Sequence, residues 1–233
     1  FGEYGIQVKG NFAPNGLFYD AITGEPVTNR YVQINDQSNS YNTLENKDKW
    51  FYIGSDSKAL KGEQVINGVT VFFDKDGVQA KGIFADDGFY YDKDSGARVN
   101  LGNNQFVQVN GNWYYLNNEG KIVKGEQVIN GNNFYFDKDG KQVKGQEREI
   151  GGKYYRFDEN DGSLLTNQWH HTSIFNGYRT EPQYTTYTNY LGEDGAAFIG
   201  WHTIDSKRYY FKPDGLLAKN DTVTIDGKIY LFD

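Results

Sequence analysis

The sequence predicts an all-β fold, an elongated solenoid of stacked β-hairpin repeats of about 21 residues. Three observations lead there. The octapeptide Lys61-Gly62-Glu63-Gln64-Val65-Ile66-Asn67-Gly68 returns unchanged as Lys124-Gly125-Glu126-Gln127-Val128-Ile129-Asn130-Gly131. Aromatic clusters recur around these copies at a near-constant step. Each cluster runs into a turn rich in Asp, Asn and Gly. A chain that repeats itself at short range is built from small stacked units rather than one globule.

The last large residue of each aromatic cluster sets the register: Tyr19, Tyr52, Phe73, Tyr91, Tyr115, Phe136, Phe157, Leu191, Phe211 and Phe232. The steps between them are 33, 21, 18, 24, 21, 21, 34, 20 and 21 residues. The two long steps mark insertions, near 36–47 and near 174–186. Residues 1–233 therefore read as a single repeat domain with two loop insertions. The start at Phe1, the absence of Met and the stop within a repeat lead us to expect a piece of a longer protein.

Within a unit the order is constant. A stretch such as Asn133-Phe134-Tyr135-Phe136 has high strand propensity. Asp137-Lys138-Asp139-Gly140 then suits a tight reversal, and Lys141-Gln142-Val143-Lys144 returns as a second strand before Gly145. Ile129-Asn130-Gly131 is read as a turn leading into the next unit. One hairpin alone is not stable in water. Stacking buries the inward aromatic of each unit against its neighbours.

Composition narrows the partners. The formal charge is −7 and there is no Lys/Arg-rich run, which argues against nucleic acid and against an anionic membrane surface. No apolar run approaches the ~20 residues of a membrane-spanning helix. Cysteine is absent, so disulfides and thiolate chemistry are excluded. Aromatic residues make up 17% of the chain, most of them Tyr and Phe. Tyr and Trp pack with one face and keep a polar handle in water, which suits stacking on a flat, hydroxylated, neutral ligand.

The units YFDKDGKQVKG, WYYLNNEGKIVKG, FYYDKDSGARVN, LFYDAITGEPVTN and YYFKPDGLLAKN resemble the cell-wall/glucan-binding repeats of glucansucrases from lactic acid bacteria and streptococci. The resemblance covers nearly the whole chain apart from the two insertions. It implies a non-catalytic accessory domain of a secreted glucosyltransferase of the glycoside hydrolase family 70 type. Such a domain would be extracellular or wall-associated, would bind α-glucan (dextran-like) chains and would work beside a catalytic domain. It also implies sugar pockets between successive hairpins, with an aromatic ring stacked on a glucosyl unit and Gln and Lys bonded to its hydroxyls.

That Gln-x-Lys pattern is read in full at Gln79-Ala80-Lys81 and Gln142-Val143-Lys144. Lys61, Lys124 and Lys219 keep the cation, but Ala59, Ile122 and Leu217 stand in the Gln place. Arg98-Val99-Asn100 and Leu164-Leu165-Thr166 lack both members. Residues two apart on a strand share a face. Gln offers donor and acceptor and Lys three donors, so together they can read vicinal hydroxyls. The following hairpin supplies the ring, Tyr90 or Tyr91 for the first pair and Tyr154 or Tyr155 for the second. Trp169, His170, His171, Tyr178, Tyr184 and Tyr187 around the second insertion are read as a loop packed on the solenoid rather than a further ligand surface.

Other chemistry is set aside. The DKDG turns open like a calcium loop, but its twelfth position needs Glu, and counting from Asp74 and Asp137 gives Ala85 and Arg148. His170, His171 and His202 lack zinc-ligand spacing, so no metal and no cofactor is expected. No nucleophile elbow or phosphate-cradling loop is present, and no catalytic residue is assigned. The competing functions are a wall- or choline-anchoring module and a structural spacer. Choline favours a cage of aromatic rings, and four Trp are too few for one per unit.

Overall fold

The computed structural model describes residues 7–34, 49–175 and 184–233, the side chains of residues 174, 175 and 184 excepted. Its described residues form strands, turns and coil, with no helix. In chain order the hairpins are β1 (Asn11–Phe12) with β2 (Phe18–Tyr19), β3 (Arg30–Gln33) with β4 (Trp50–Ile53), and β5 (Gly62–Ile66) with β6 (Val69–Phe73). A three-stranded sheet of β7 (Ile83–Phe84), β8 (Tyr90–Tyr91) and β9 (Arg98–Val99) follows. Then come β10 (Gln105–Val109) with β11 (Asn112–Leu116), β12 (Gly125–Ile129) with β13 (Asn132–Phe136), and β14 (Glu147–Ile150) with β15 (Lys153–Arg156). The last pairs are β16 (Gln168–Phe175) with β17 (Tyr184–Leu191), β18 (Gly200–Ile204) with β19 (Lys207–Phe211), and β20 (Asp221–Ile225) with β21 (Lys228–Phe232). The all-β hairpin-repeat class is thus the observed one.

The hairpins close at a different turn from the expected one. Asn130-Gly131 joins β12 to β13, with Ile129 paired to Asn132 and Gly125 to Phe136. Both turn residues have positive φ, 51° and 82°. That is the signature of a type I′ turn, whose twist matches that of the flanking strands. Asn67-Gly68 and Asp226-Gly227 repeat it, and Asp205-Ser206 does so with a non-Gly residue at φ 62°. The Asp-rich segments instead link one ladder to its return segment. After Phe136 only Gln142 pairs back, as an isolated bridge. Asn-Gly won because positive φ at two consecutive residues is cheapest there.

The buried register also shifts in two units, and in the first hairpin Phe18 is buried in place of Tyr19. Ile53 and Leu116 are fully buried while Tyr52 and Tyr115 are half-buried. The inward position is therefore the residue just before the linking turn, shared with Phe73, Tyr91, Phe136, Phe157, Leu191 and Phe211. With a side-chain period of two, a one-residue slip exchanges inside for outside.

The fold divides into two compact units, residues 1–109 with 115–123, and residues 110–114 with 124–233. Inside each unit the same device joins neighbours. The backbone N–H of a return segment donates to the carbonyl of the preceding hairpin's second strand: Gln79 to Trp50 at 2.8 Å in the first unit, and Gln142 to Trp113 at 2.7 Å and Leu164 to Asn133 at 2.8 Å in the second. Rings continue the contact, with Phe72 against Tyr91 at 5.9 Å and Tyr135 against Phe157 at 6.1 Å between centroids.

The insertion at 36–47 lies outside the described residues, as does Tyr178. The flanks of the other insertion are strand, β16 and β17 pairing over their whole length. Trp169 on β16 packs within unit 2 against Tyr190, Tyr209 and Phe211, with centroids 5.2, 5.0 and 6.0 Å away.

Candidate functional site

The linking turns come in two lengths, and the shape of the site follows from that. In a four-residue turn such as Asp137–Gly140 the first Asp caps N–H groups two and four positions on, here Asp139 and Lys141, both at 2.9 Å. In Asp20–Gly24, Asp92–Gly96 and Asp158–Gly162 the turn is one residue longer. There the Asp caps positions two and three on, as Asp92 does with Asp94 at 3.1 Å and Ser95 at 2.8 Å. These bonds, that of Ser95 foremost, hold the Asp92 carboxyl below its usual range, and Asp158 is held down likewise by Asp161 and Asn160. Backbone carbonyls on the crest of the longer turn still need donors.

The Gln-x-Lys pairs supply them. Lys81 Nζ donates to Asp94 O at 2.8 Å and Gln79 Nε2 to Ser95 O at 3.4 Å. Lys144 Nζ donates to Asn160 O and Gln142 Nε2 to Asp161 O, both at 2.7 Å. Gln79 is buried at 6% exposure, so its amide sits against the turn rather than on a solvated edge. The closing glycines Gly96 and Gly162 leave room for these amides, since a side chain there would collide with Nε2.

Sequence reading missed a third copy. Gln7-Val8-Lys9 precedes the first recognisable hairpin, yet Lys9 Nζ donates to Ile22 O at 3.0 Å and the Gln7 amide lies against Gly24. The signal was available: each Gln-x-Lys stands one repeat ahead of an Asp-x-x-x-Gly turn.

The rings that meet Lys81 and Lys144 come from the preceding hairpins. Lys81 Nζ is 5.0 Å from the Trp50 ring centroid, and Lys144 Nζ is 5.1 Å from that of Trp113. Trp113 is 37% exposed, so part of the indole faces solvent. Tyr91 lies in the core at 0% exposure, its hydroxyl donating to Asp87 Oδ2 at 2.6 Å, and burial followed by that carboxylate pushes its pKa up. Tyr91 thus offers no ring face to a ligand. Tyr90 is half-buried against Phe84 at 5.4 Å, and Tyr154 and Tyr155 are half-buried. The junctions at Lys81 and Lys144 thus each join a Trp, a Gln-x-Lys pair and a turn from three successive repeats.

Where the pattern is lost, space opens. Arg98, Phe89 and Glu119 line a cleft of about 610 Å3 in unit 1, and Asn133, Tyr155, Leu164 and Asp194 line one of about 380 Å3 in unit 2. Among the described residues no group of three His, Asp or Glu is placed to hold a metal ion.

Residues 60–101, 123–169 and 198–233 match the model of the choline-binding repeat, and residues 104–122 that of a putative cell wall binding repeat. The chain is 37% identical over 203 residues to Glucosyltransferase-S of Streptococcus mutans, covering 85% of this chain and 13% of that protein. It is 37% identical over 249 residues to Glucosyltransferase-I of Streptococcus downei, covering 100% of this chain and 15% of that one. Among solved structures it is similar to CbpJ from Streptococcus pneumoniae, with a TM-score of 0.48 and 18% identity over 92% of this chain and 81% of that one. It is also similar to an alternansucrase in complex with isomaltononaose, with a TM-score of 0.29 and 25% identity over 82% of this chain and 17% of that one.

Proposed function

Since this chain belongs to the choline-binding repeat family, we propose that it is a non-catalytic carbohydrate-binding module that holds α-glucan chains. The observation that carries this reading is the convergence of Trp113, Gln142 and Lys144 at one junction, repeated by Trp50, Gln79 and Lys81. An indole shields the apolar C–H face of a pyranose. An ammonium has three donors, so one bond to a turn carbonyl leaves Lys144 able to meet sugar hydroxyls. Each site is weak alone, with hydrogen bonds netting about 1 kcal/mol each. Several sites on one polymer gain by avidity.

The glucosyltransferase names of the relatives support glucan as the ligand, and the match of residues 104–122 to a putative cell wall binding repeat supports a wall-associated, extracellular setting. The chain spans 13% and 15% of those relatives, so the role we assign is an accessory one, keeping polymer near a catalytic domain elsewhere in a parent protein. Tyr90, Tyr154 and Tyr155 remain proposed flanking contacts.

The family name favours a second reading, choline capture. The lysines argue against it, because each already occupies the cation position over its Trp, as Arg208 does over Trp201 at 4.1 Å. Native electrophoresis in gels containing dextran tests the choice. We expect retarded migration that weakens in Trp113→Ala and Lys144→Ala, with no effect of choline. Unchanged migration, or retention on an amine resin released by choline, overturns the glucan reading.

A further inference from the structure

Glu63 and Glu126 occupy the same place in identical octapeptides, yet their surroundings differ. Glu63 is paired with Arg98 at 2.7 Å, the guanidinium also lying 4.7 Å from the Phe89 centroid. Lys121 stands 5.4 Å from the same ring and pairs with Glu119 at 2.8 Å. The charges around the larger cleft therefore satisfy one another.

The smaller cleft is different. Leu164 stands where Arg98 does three repeats earlier, so nothing among the described residues pairs with Glu126. Asn133 replaces the Trp of the complete junctions, as its carbonyl bond from Leu164 shows. Neither the Glu126 carboxylate nor the Asn133 carboxamide has a protein partner among the described residues. Asp194 completes the rim, held ionised by the Ala196 N–H at 3.0 Å and by Lys153 at 3.1 Å. The half-buried Tyr155 ring and Leu164 give the apolar part of the wall.

We propose that this cleft is a further glucosyl site, in which Glu126, Asn133 and Asp194 replace the Gln/Lys pair and Tyr155 replaces the Trp. It rests on the α-glucan reading above. Its volume of about 380 Å3 falls within the range of small-molecule sites. The acceptors suit a neutral pyranose whose vicinal hydroxyls donate, and the Asn133 amide adds a donor. A quaternary ammonium needs several ring faces. Phe134 and Phe157 are buried at 7% and 3%, which leaves it essentially Tyr155.

The experiment is an isomaltotriose titration of the isotope-labelled chain, followed by NMR. Amide resonances of Glu126, Asn133, Tyr155 and Asp194 are expected to shift saturably. The Glu126→Ala, Asn133→Ala double variant should weaken that response about tenfold or more, from loss of a charged hydrogen bond. Both positions are exposed, so the remaining spectrum should be preserved and the Trp113 indole should still respond. If Trp113 and Gln142 respond while the cleft does not, the inference fails and the glucan reading stands. If neither responds, both fail. If choline chloride shifts the cleft amides and isomaltotriose does not, the cleft is a cation site and the inference is overturned.

Discussion

Lys144 and Trp113, from consecutive hairpins, are joined by a cation–ring contact of 5.1 Å, and the same ammonium reaches Asn160 O, one repeat further on, at 2.7 Å. One side chain thus braces three repeats and places its remaining donors beside an accessible indole. Structural and ligand roles fall on the same residue, and substitutions separate them.

Lys144→Met keeps the aliphatic stem and removes the ammonium. It should lower unfolding free energy by about 1 kcal/mol, the net worth of the bond to Asn160, and should also reduce retention by dextran. Lys124→Met is the control. Lys124 is exposed and its ammonium has no partner among the described residues, so its change should stay within about 0.5 kcal/mol. Equal effects of the two in urea titrations would contradict the bracing role.

Ser206 holds φ 62° at the second position of its type I′ turn, where most equivalents are glycine. An L side chain in that region costs about 1–2 kcal/mol, offset in part by the greater freedom of Gly in the unfolded chain. Ser206→Gly should therefore stabilise by about 1 kcal/mol, seen as a higher urea midpoint. A lower midpoint would mean that the turn is held by something other than backbone geometry.

Phe136 is fully buried and Ile229 is 75% exposed, although both lie on second strands of hairpins. Phe136→Ala should cost about 3–5 kcal/mol by transfer and cavity terms, and Ile229→Ala within about 0.5. Calorimetry of the two variants checks the inward register, and similar losses would contradict it.

Asp92 and Asp158 have lowered pKa values because turn N–H groups bond their ionised forms. Stability from a depressed carboxyl is complete above the ordinary aspartate pKa and is lost as pH falls through the lowered folded value. The thermal midpoint should drop below about pH 4. Asn retains the acceptor oxygen without the titration, so the Asp92→Asn, Asp158→Asn double variant should show a shallower drop by circular dichroism. An unchanged slope would locate the acid sensitivity elsewhere.

The hairpin-repeat class was legible because identical octapeptides and spaced aromatics leave few other folds. Which turn closes the hairpin was not, because Asp-Lys-Asp-Gly and Asn-Gly both read as reversals. Only the paired positive φ values at Asn130 and Gly131 separate them. Ile53 and Leu116 were passed over because the larger tyrosines beside them drew the register one residue away. At the site, Gln79, Lys81, Gln142 and Lys144 were visible from the sequence, but the side to which they reach was not. Their bonds run forward to the next turn, and their rings come from Trp50 and Trp113 behind. These contacts cross repeat boundaries, so the one sequence mark of their direction is the longer Asp-x-x-x-Gly turn of the following repeat.

Crystals of the chain soaked with isomaltotriose show whether sugar enters the Trp/Gln-x-Lys junctions. A glucosyl ring is expected against the indole of Trp113, with Gln142 and Lys144 at hydrogen-bond distance from its hydroxyls, and the same at Trp50, Gln79 and Lys81. Empty junctions at saturating sugar, with Lys144 still on Asn160, would contradict this expectation and leave the Gln-x-Lys pairs as turn braces alone.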